Sequence, residues 1–259
     1  FYQTFHLRAE LFEELVIAFG NRSGACMAFE EGISTETDTF TCTGSISVVG
    51  YGQRISCHQH GGHGTIDFPH AIYGSCNPYF VDVGLKIGGH NFFKYFTGFG
   101  FTQKTGIDMM GEQTPSTMLY HSEEKLSNPL SQSYLATSSF GQTFKVSPIQ
   151  MITAMSAVAN GGKLMQPYVV QKIIAPDGTV VKDVQPTVKR QVVSADTSRR
   201  VAAMMAASVN GGGAKNAYVP GFRVAGKTGT SEKIDQKKEG EVGDVVASFS
   251  GFAPDRKST

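Results

Sequence analysis

The stretch that most constrains the fold is VAGKTGTSEK, residues 224–233 of the 259-residue chain. The residues Phe222–Ala225 are typical of a β-strand, which would carry Lys-Thr-Gly-Thr at its end. A second strand-like stretch, GDVVASFSGFAP, begins at Gly243 and could pair antiparallel with the first across the loop 234–242. Because helix patterns fill the middle of the chain, we expect an α+β fold, in which helices flank an antiparallel sheet beside a helical subdomain.

The four residues of this motif suit the binding of an extended peptide with a terminal carboxylate. Side chains alternate along a strand, so Lys227 and Gly229 should lie on one face and Thr228 and Thr230 on the other. Gly229 would let a ligand approach the backbone, whose N–H groups can receive an extended peptide as an added strand. The alternative is an edge strand with a solvated lysine and no ligand.

A second polar motif supports a functional role for Lys227. The tripeptide Lys-Thr-Gly is weak evidence alone, because it recurs at Lys104–Gly106, in a polar stretch that we interpret as a loop without chemistry. Ser75 and Asn77, however, lie at a predicted turn between two helices. Their side chains could face one cleft, where the serine relays a proton and the asparagine amide holds a peptide group.

The alternative for Ser75-Cys76-Asn77 is an ordinary helix cap ahead of Pro78. The same Ser-x-Asn pattern recurs at Ser208–Asn210, where we interpret it as the termination of a helix.

The cysteines and histidines are open to two interpretations each. Cys42 and Cys57 flank TGSISVVGYGQRIS, a predicted hairpin that would bring them close enough for a disulfide; two buried free thiols are the alternative. CHQHGGHG contains Cys57, His58, His60 and His63, which are residue types that bind zinc. Its glycines indicate a structural loop instead, so we predict no metal and no cofactor.

Composition indicates a globular protein and argues against nucleic-acid binding. Hydrophobic residues make up 40% of the chain and charged residues 17%, with a net charge of +1. There is no basic tract with interleaved aromatic residues, and no apolar run reaches the roughly 18 residues of a membrane helix. The chain begins at Phe1 and ends just after an apparent strand, so we expect a fragment of a longer protein.

Together these stretches resemble the transpeptidase domain of class B penicillin-binding proteins, whose motifs are Ser-x-x-Lys, Ser-x-Asn and Lys-Thr/Ser-Gly in that order. Ser75–Asn77 is similar to the second motif and Lys227–Thr230 to the third. The resemblance begins near Met27, so we expect an anomalous segment over 1–26 and the domain over 27–259, truncated at its C-terminal end. It is carried by EEGIS, GGHGT, SCNPYFVDVGLKIG, FGFTQKTGID, SFGQTFKVSPIQMITAMSAVANGGKLMQPYVV, VPGFRVAGKTGTSEK and ASFSGFAPD.

The resemblance implies a β-lactamase-like fold and peptidoglycan D,D-transpeptidase activity. In this family a serine attacks the D-Ala-D-Ala end of a stem peptide, and an amine from a neighbouring stem resolves the acyl-enzyme. Ser75 would pass a proton to the leaving amine, Asn77 would hold the substrate amide, and Lys227 would provide a positive field. Thr228 and Thr230 would bind the substrate carboxylate, and the Thr230 N–H would complete the oxyanion hole.

The implied partners are peptidoglycan stem peptides, β-lactams and other wall-synthesis membrane proteins, and nucleic acid is not among them. The implied location is the extracytoplasmic face of the bacterial cytoplasmic membrane, with an N-terminal helix as the anchor. A D,D-carboxypeptidase or a β-lactamase, which use water as the acceptor, would match the class B pattern less well.

The first family motif is missing from the chain. Its expected place is a helix about a dozen residues before Glu30, where LVIAFGNRSGACMAF contains no lysine. The one Ser-x-x-Lys, Ser122–Lys125, follows Ser-x-Asn and is interpreted as a solvated surface loop. Either residues 1–26 are a wrong-frame translation of an active enzyme, or the protein is a silent relative that binds stem peptide or acts as a scaffold. The chain as written is predicted not to acylate.

Overall fold

A computed structural model describes residues 14–232 and 245–253. The helices are α1 (Glu14–Glu30), α2 (Phe68–Tyr73), α3 (Asn77–Gly98), α4 (Glu123–Leu126), α5 (Ser133–Ser139), α6 (Pro148–Ala159) and α7 (Ala195–Gly211). The strands are β1 (Thr39–Cys42), β2 (Ser45–Ser47), β3 (Arg54–Ser56), β4 (Gly64–Asp67), β5 (Lys163–Met165), β6 (Lys172–Ile174), β7 (Val180–Asp183), β8 (Val188–Gln191), β9 (Ala225–Glu232) and β10 (Val245–Phe252). The predicted loop 234–242 lies outside the described residues.

The described strands pair two by two, each pair antiparallel: β1 with β4, β2 with β3, β5 with β8, β6 with β7 and β9 with β10. The β9–β10 register is continuous from Ala225 opposite Phe252 to Glu232 opposite Val245. The predicted antiparallel pair and the α+β fold class are therefore confirmed. Across the same residues, no helix is both long enough and apolar enough to cross a membrane.

Helix α1 lies at the centre of the described fold, packed against α3, α6, α7, β9 and β10. Two glutamates fix its last turn. The Glu30 carboxylate accepts hydrogen bonds from the Ser194 N–H and hydroxyl, both at 2.9 Å. The Glu31 carboxylate accepts from Lys94 Nζ at 2.8 Å and from the Tyr95 hydroxyl at 2.6 Å. These bonds tie the end of α1 to the start of α7 and to α3.

Helices α2 and α3 form the predicted pair around Ser75. Gly74 ends α2, and Pro78 occupies the first turn of α3, where a missing N–H costs little. A break within α3 falls at Gly88, whose φ is +79°. The helix is therefore interrupted there, but it resumes at once and continues to Gly98.

Strand β9 begins later than the sequence predicts. In the stretch VPGF, the Phe222 N–H donates to the Val219 carbonyl at 3.0 Å, and the φ of Gly221 is +79°. Proline second and glycine third are the residues that a type II turn requires. This turn delays the strand to Ala225, so that Lys227–Thr230 lies inside the strand and not at its end. The prediction of a strand over Phe222–Ala225 was therefore wrong for Phe222–Val224 and right only at Ala225.

Candidate active site

Lys227 is buried in β9 although lysine carries a charge. It is only 2% exposed, and its Nζ donates to the Thr228 carbonyl at 2.9 Å. A solvated lysine on an edge strand, the alternative considered from the sequence, does not describe this residue. Gly229 is buried, Thr228 is half-buried and Thr230 is exposed, which is the alternation that a strand produces.

The edge of β9 opposite β10 pairs with no strand of residues 14–232 and 245–253. Helices α1 and α7 pack against β9. A strand with one unpaired edge offers backbone donors and acceptors to an extended peptide. The strand therefore has the form that a peptide-binding role requires.

The second Lys-Thr-Gly copy forms a loop, as predicted, and holds a carboxylate of the protein itself. The Thr105 N–H and hydroxyl donate to Glu112 Oε1 at 2.6 and 2.7 Å, and the Gly106 N–H donates to Glu112 Oε2 at 3.0 Å. Lys104 is exposed. The copy serves the local fold, and it illustrates how a Thr-Gly backbone can cradle a carboxylate.

Ser75 and Asn77 are not the helix caps that the alternative interpretation requires. The N-cap of α3 is Cys76, and its side chain makes no capping bond. Asn77 is the first residue of the helix, and its Nδ2 donates to the Ser56 carbonyl at 3.1 Å. Ser75 has a φ of +50°, a left-handed conformation that costs roughly 1–3 kcal/mol in a non-glycine residue and is found disproportionately at functional sites.

Two helices connect the two motifs. Helix α7 packs against both β9 and α2, and α1 packs against both β9 and α3. Beside the Ser75 turn, a depression of about 780 Å³ separates α2 from the end of α7, with His63, Tyr73, Gly74 and Asn210 in its lining. The other Ser-x-Asn copy, Ser208–Asn210, lies at the end of α7, where the sequence indicated helix termination.

The family model for the penicillin-binding protein transpeptidase domain matches residues 24–259. The chain belongs to the penicillin-binding protein transpeptidase family. Stage V sporulation protein D of Bacillus subtilis is 40% identical over 226 residues, which are 87% of this chain and 33% of that protein. A probable peptidoglycan D,D-transpeptidase FtsI of Caulobacter vibrioides is 27% identical, over 81% of this chain and 32% of its own. The chain thus spans about a third of the length of these relatives.

Solved structures agree with the assignment to the transpeptidase family. The D,D-transpeptidase domain of a peptidoglycan glycosyltransferase from Eggerthella lenta superposes with a TM-score of 0.80 at 26% identity, over 95% of this chain and 58% of that one. Penicillin-binding protein 3 from Mycobacterium tuberculosis complexed with aztreonam gives a TM-score of 0.78 at 26% identity, over 95% and 54%. The β-lactamase-like fold and the resemblance found in the sequence are confirmed.

This transpeptidase domain has no serine–lysine pair in α1. Ser23, the serine nearest to the expected place, is buried; its hydroxyl donates to the Gly20 carbonyl at 3.1 Å, and the residue three positions on is Cys26 and not lysine. Ser122 and Lys125 belong to α4 and its cap: the Ser122 hydroxyl accepts from the Lys125 N–H at 3.4 Å. The stretch is exposed, as the prediction of a solvated surface loop requires, but Ser122 caps a one-turn helix, so the loop part of that prediction was wrong.

Three of the four cysteines of the transpeptidase domain meet beside the Ser75 turn, and these three are buried and form no disulfide bond. Cys42, Cys57 and Cys76 gather with His63, and their ligand atoms lie within 4.8 Å of one another. The pKa of Cys57 is lowered because its sulfur accepts a hydrogen bond from the Cys76 thiol, and the same bond together with burial raises the pKa of Cys76. The sequence patterns were interpreted separately for these residues, and the cluster was not predicted. The cysteine inside Ser-x-Asn was the available signal.

Proposed function

We propose that the chain is the substrate-binding part of a peptidoglycan D,D-transpeptidase and that it binds D-Ala-D-Ala ends of stem peptides along β9. The observation that carries the proposal is the strand itself, with a buried lysine, a glycine and two threonines in alternation beside an unpaired edge in the described residues. A peptide that joins this edge gains main-chain hydrogen bonds, while its carboxylate meets the threonine hydroxyls.

The second motif supports the same proposal. In our account Ser75 relays a proton to the leaving amine and Asn77 holds the substrate amide. Ser75 has a strained backbone of the kind common at functional sites, and Asn77 begins α3 without capping it, with its Nδ2 on the Ser56 carbonyl. Lys227 supplies the positive field, Gly229 leaves room for the ligand, and the Thr230 N–H belongs to the oxyanion hole. The Glu112 cradle in the loop copy shows that Thr-Gly backbone can bind a carboxylate.

For the parent protein we propose crosslinking of stem peptides through a serine acyl-enzyme, at the extracytoplasmic face of the cytoplasmic membrane and anchored by an N-terminal helix. Relatives whose names include D,D-transpeptidase support this activity, and the aztreonam complex of a relative supports β-lactam binding. Other wall-synthesis membrane proteins would be its partners.

A catalytically silent stem-peptide binder or scaffold is the second candidate, and the missing Ser-x-x-Lys before Ser75 favours it. Sequencing the coding DNA upstream of the Met27 codon in all frames separates the two. A Ser-x-x-Lys in a shifted frame, about a dozen codons before Glu30, supports the active parent. Confirmation of LVIAFGNRSGACMAF in frame supports the scaffold.

The binding proposal is tested by titrating the isotope-labelled chain with a short stem-peptide analogue ending in D-Ala-D-Ala while recording amide chemical shifts. We expect saturable shifts in β9 and in the Ser75–Asn77 turn, because the peptide contacts both. The same analogue ending in L-Ala-L-Ala is the control and should shift these amides little. Equal shifts with both peptides, or shifts confined to other elements, would contradict the proposal.

A further inference from the structure

The cluster beside the Ser75 turn brings together donors from four separate places in the chain. Cys42 ends β1, Cys57 follows β3, His63 precedes β4 and Cys76 precedes α3. The Cys57 Sγ and His63 Nδ1 atoms are 3.3 Å apart. All four ligand atoms lie within 4.8 Å of one another, and the three cysteines are at most 2% exposed.

We propose that Cys42, Cys57, Cys76 and His63 bind one zinc ion. Three thiolates and one imidazole are a common donor set of structural zinc sites, with Zn–S distances of about 2.3 Å and Zn–N distances of about 2.0–2.1 Å in a tetrahedron. Such a tetrahedron places neighbouring ligand atoms roughly 3.5–3.8 Å apart. The observed separations, 3.3 Å between Cys57 Sγ and His63 Nδ1 and at most 4.8 Å within the set, therefore require only small adjustments around the ion.

The loops that present the ligands are braced by close backbone contacts. The Cys57 N–H donates to the Gly44 carbonyl at 2.8 Å. A Cβ atom at Gly62 would overlap the Cys42 carbonyl, and one at Gly44 would overlap the His60 carbonyl. Glycine at both positions thus lets two loops approach closely, so the ligand-bearing backbone is held before a metal arrives.

The site is closed to further ligands in the manner of a structural site. Four protein donors fill a tetrahedral zinc, and burial of the three cysteines excludes solvent. The His63 ring is packed against Gly74, since a Cβ there would lie 2.8 Å from Nε2. His58 is exposed, with Nδ1 4.0 Å from the Cys57 sulfur, and lies outside the set of four.

A zinc ion would link the Ser75–Asn77 motif to the ends of strands β1, β3 and β4. Cys76 lies between Ser75 and Asn77, so a bond from zinc to its sulfur fixes the turn that carries both side chains. The metal positions these residues and does not contact substrate. This inference goes beyond the proposed function. Its test is also independent of that function, because metal content is measured without substrate or turnover.

The first test is the metal content of the full chain purified under reducing conditions with zinc supplied. We expect about one zinc per chain, and X-ray absorption should show three sulfur ligands and one nitrogen at the distances given above. Replacement by Co²⁺ should give the thiolate charge-transfer bands of a tetrahedral site. A folded, reduced chain that takes up no zinc, or a zinc surrounded only by nitrogen and oxygen, would overturn the proposal.

The second test compares His63→Ala with His60→Ala, a change to an exposed histidine of the same loop. We expect zinc affinity to fall by about 100-fold or more in the first variant and to stay near the wild-type value in the second. If the His63 variant fails to fold, the wild-type chain still decides: adding zinc to chelator-treated protein should raise its melting midpoint by roughly 5–15 °C. Equal losses in both variants, or an unchanged midpoint, would refute the site.

Discussion

Incubation of the chain with a fluorescent penicillin is expected to leave no covalent adduct on any serine. Acylation needs a serine with an adjacent base, and the position three residues after Ser23 is Cys26 and not lysine. Ser23 is buried with its hydroxyl bound to the Gly20 carbonyl, and Ser122 caps an exposed one-turn helix. Loss of a catalytic nucleophile costs on the order of a millionfold in turnover, so the expected labelling is nil.

The control for this experiment is a class B transpeptidase domain with an intact Ser-x-x-Lys, labelled in parallel and analysed by peptide mass mapping. The chain must first be shown to be folded, by circular dichroism for example. A penicilloyl adduct mapped to any serine of the folded chain, Ser75 included, would show that a nucleophile exists and that the account of the missing motif is mistaken.

Lys227→Met is expected to weaken binding of a D-Ala-D-Ala peptide by about 10- to 100-fold. Methionine keeps most of the aliphatic volume of this buried side chain and removes the charge. The loss of one charge-assisted hydrogen bond or its equivalent field is worth roughly 1.5–3 kcal/mol, which corresponds to this range. Amide shift titrations report the affinity even where it is weak.

Lys104→Met is the matched control, because it removes a lysine from the same tripeptide in the loop copy. Lys104 is exposed, and the carboxylate bound there belongs to Glu112, so the peptide affinity should not change. Two folded variants with the same affinity as the wild type would remove Lys227 from the proposed site. Equal losses in both variants would point to a general effect of charge and not to a specific one.

Much of the fold could be predicted because local signals act within a few residues. Ser147 and Gln150 form the capping box that begins α6, and Gly74 and Pro78 separate α2 from α3. The pairing of β9 with β10 followed from two apolar, β-branched stretches near each other in sequence. The start of β9 was predicted wrongly although its signal was also local. The VPGF turn was present in the sequence, but the strand propensity of Phe222 was given more weight.

The two motifs of the site could be predicted from the sequence, but their geometry could not. Nothing in the sequence requires Lys227 to be buried or Ser75 to have a positive φ, because both depend on what packs around them. The cysteine cluster likewise depends on tertiary structure, since Cys42 and Cys76 are 34 positions apart in the sequence. Each loop looked ordinary alone, and only their approach through Gly44 and Gly62 brings the sulfurs together.

The central claim is that β9 and the Ser75–Asn77 turn form a peptide-binding site that is retained without its nucleophile. A crystal structure of the chain with a stem-peptide analogue ending in D-Ala-D-Ala tests it most directly. The account predicts an intact, non-covalent peptide lying as an added strand along the edge of β9 opposite β10, with its carboxylate at the Thr228 and Thr230 hydroxyls. A peptide bound away from β9, or joined covalently to a serine, would contradict it.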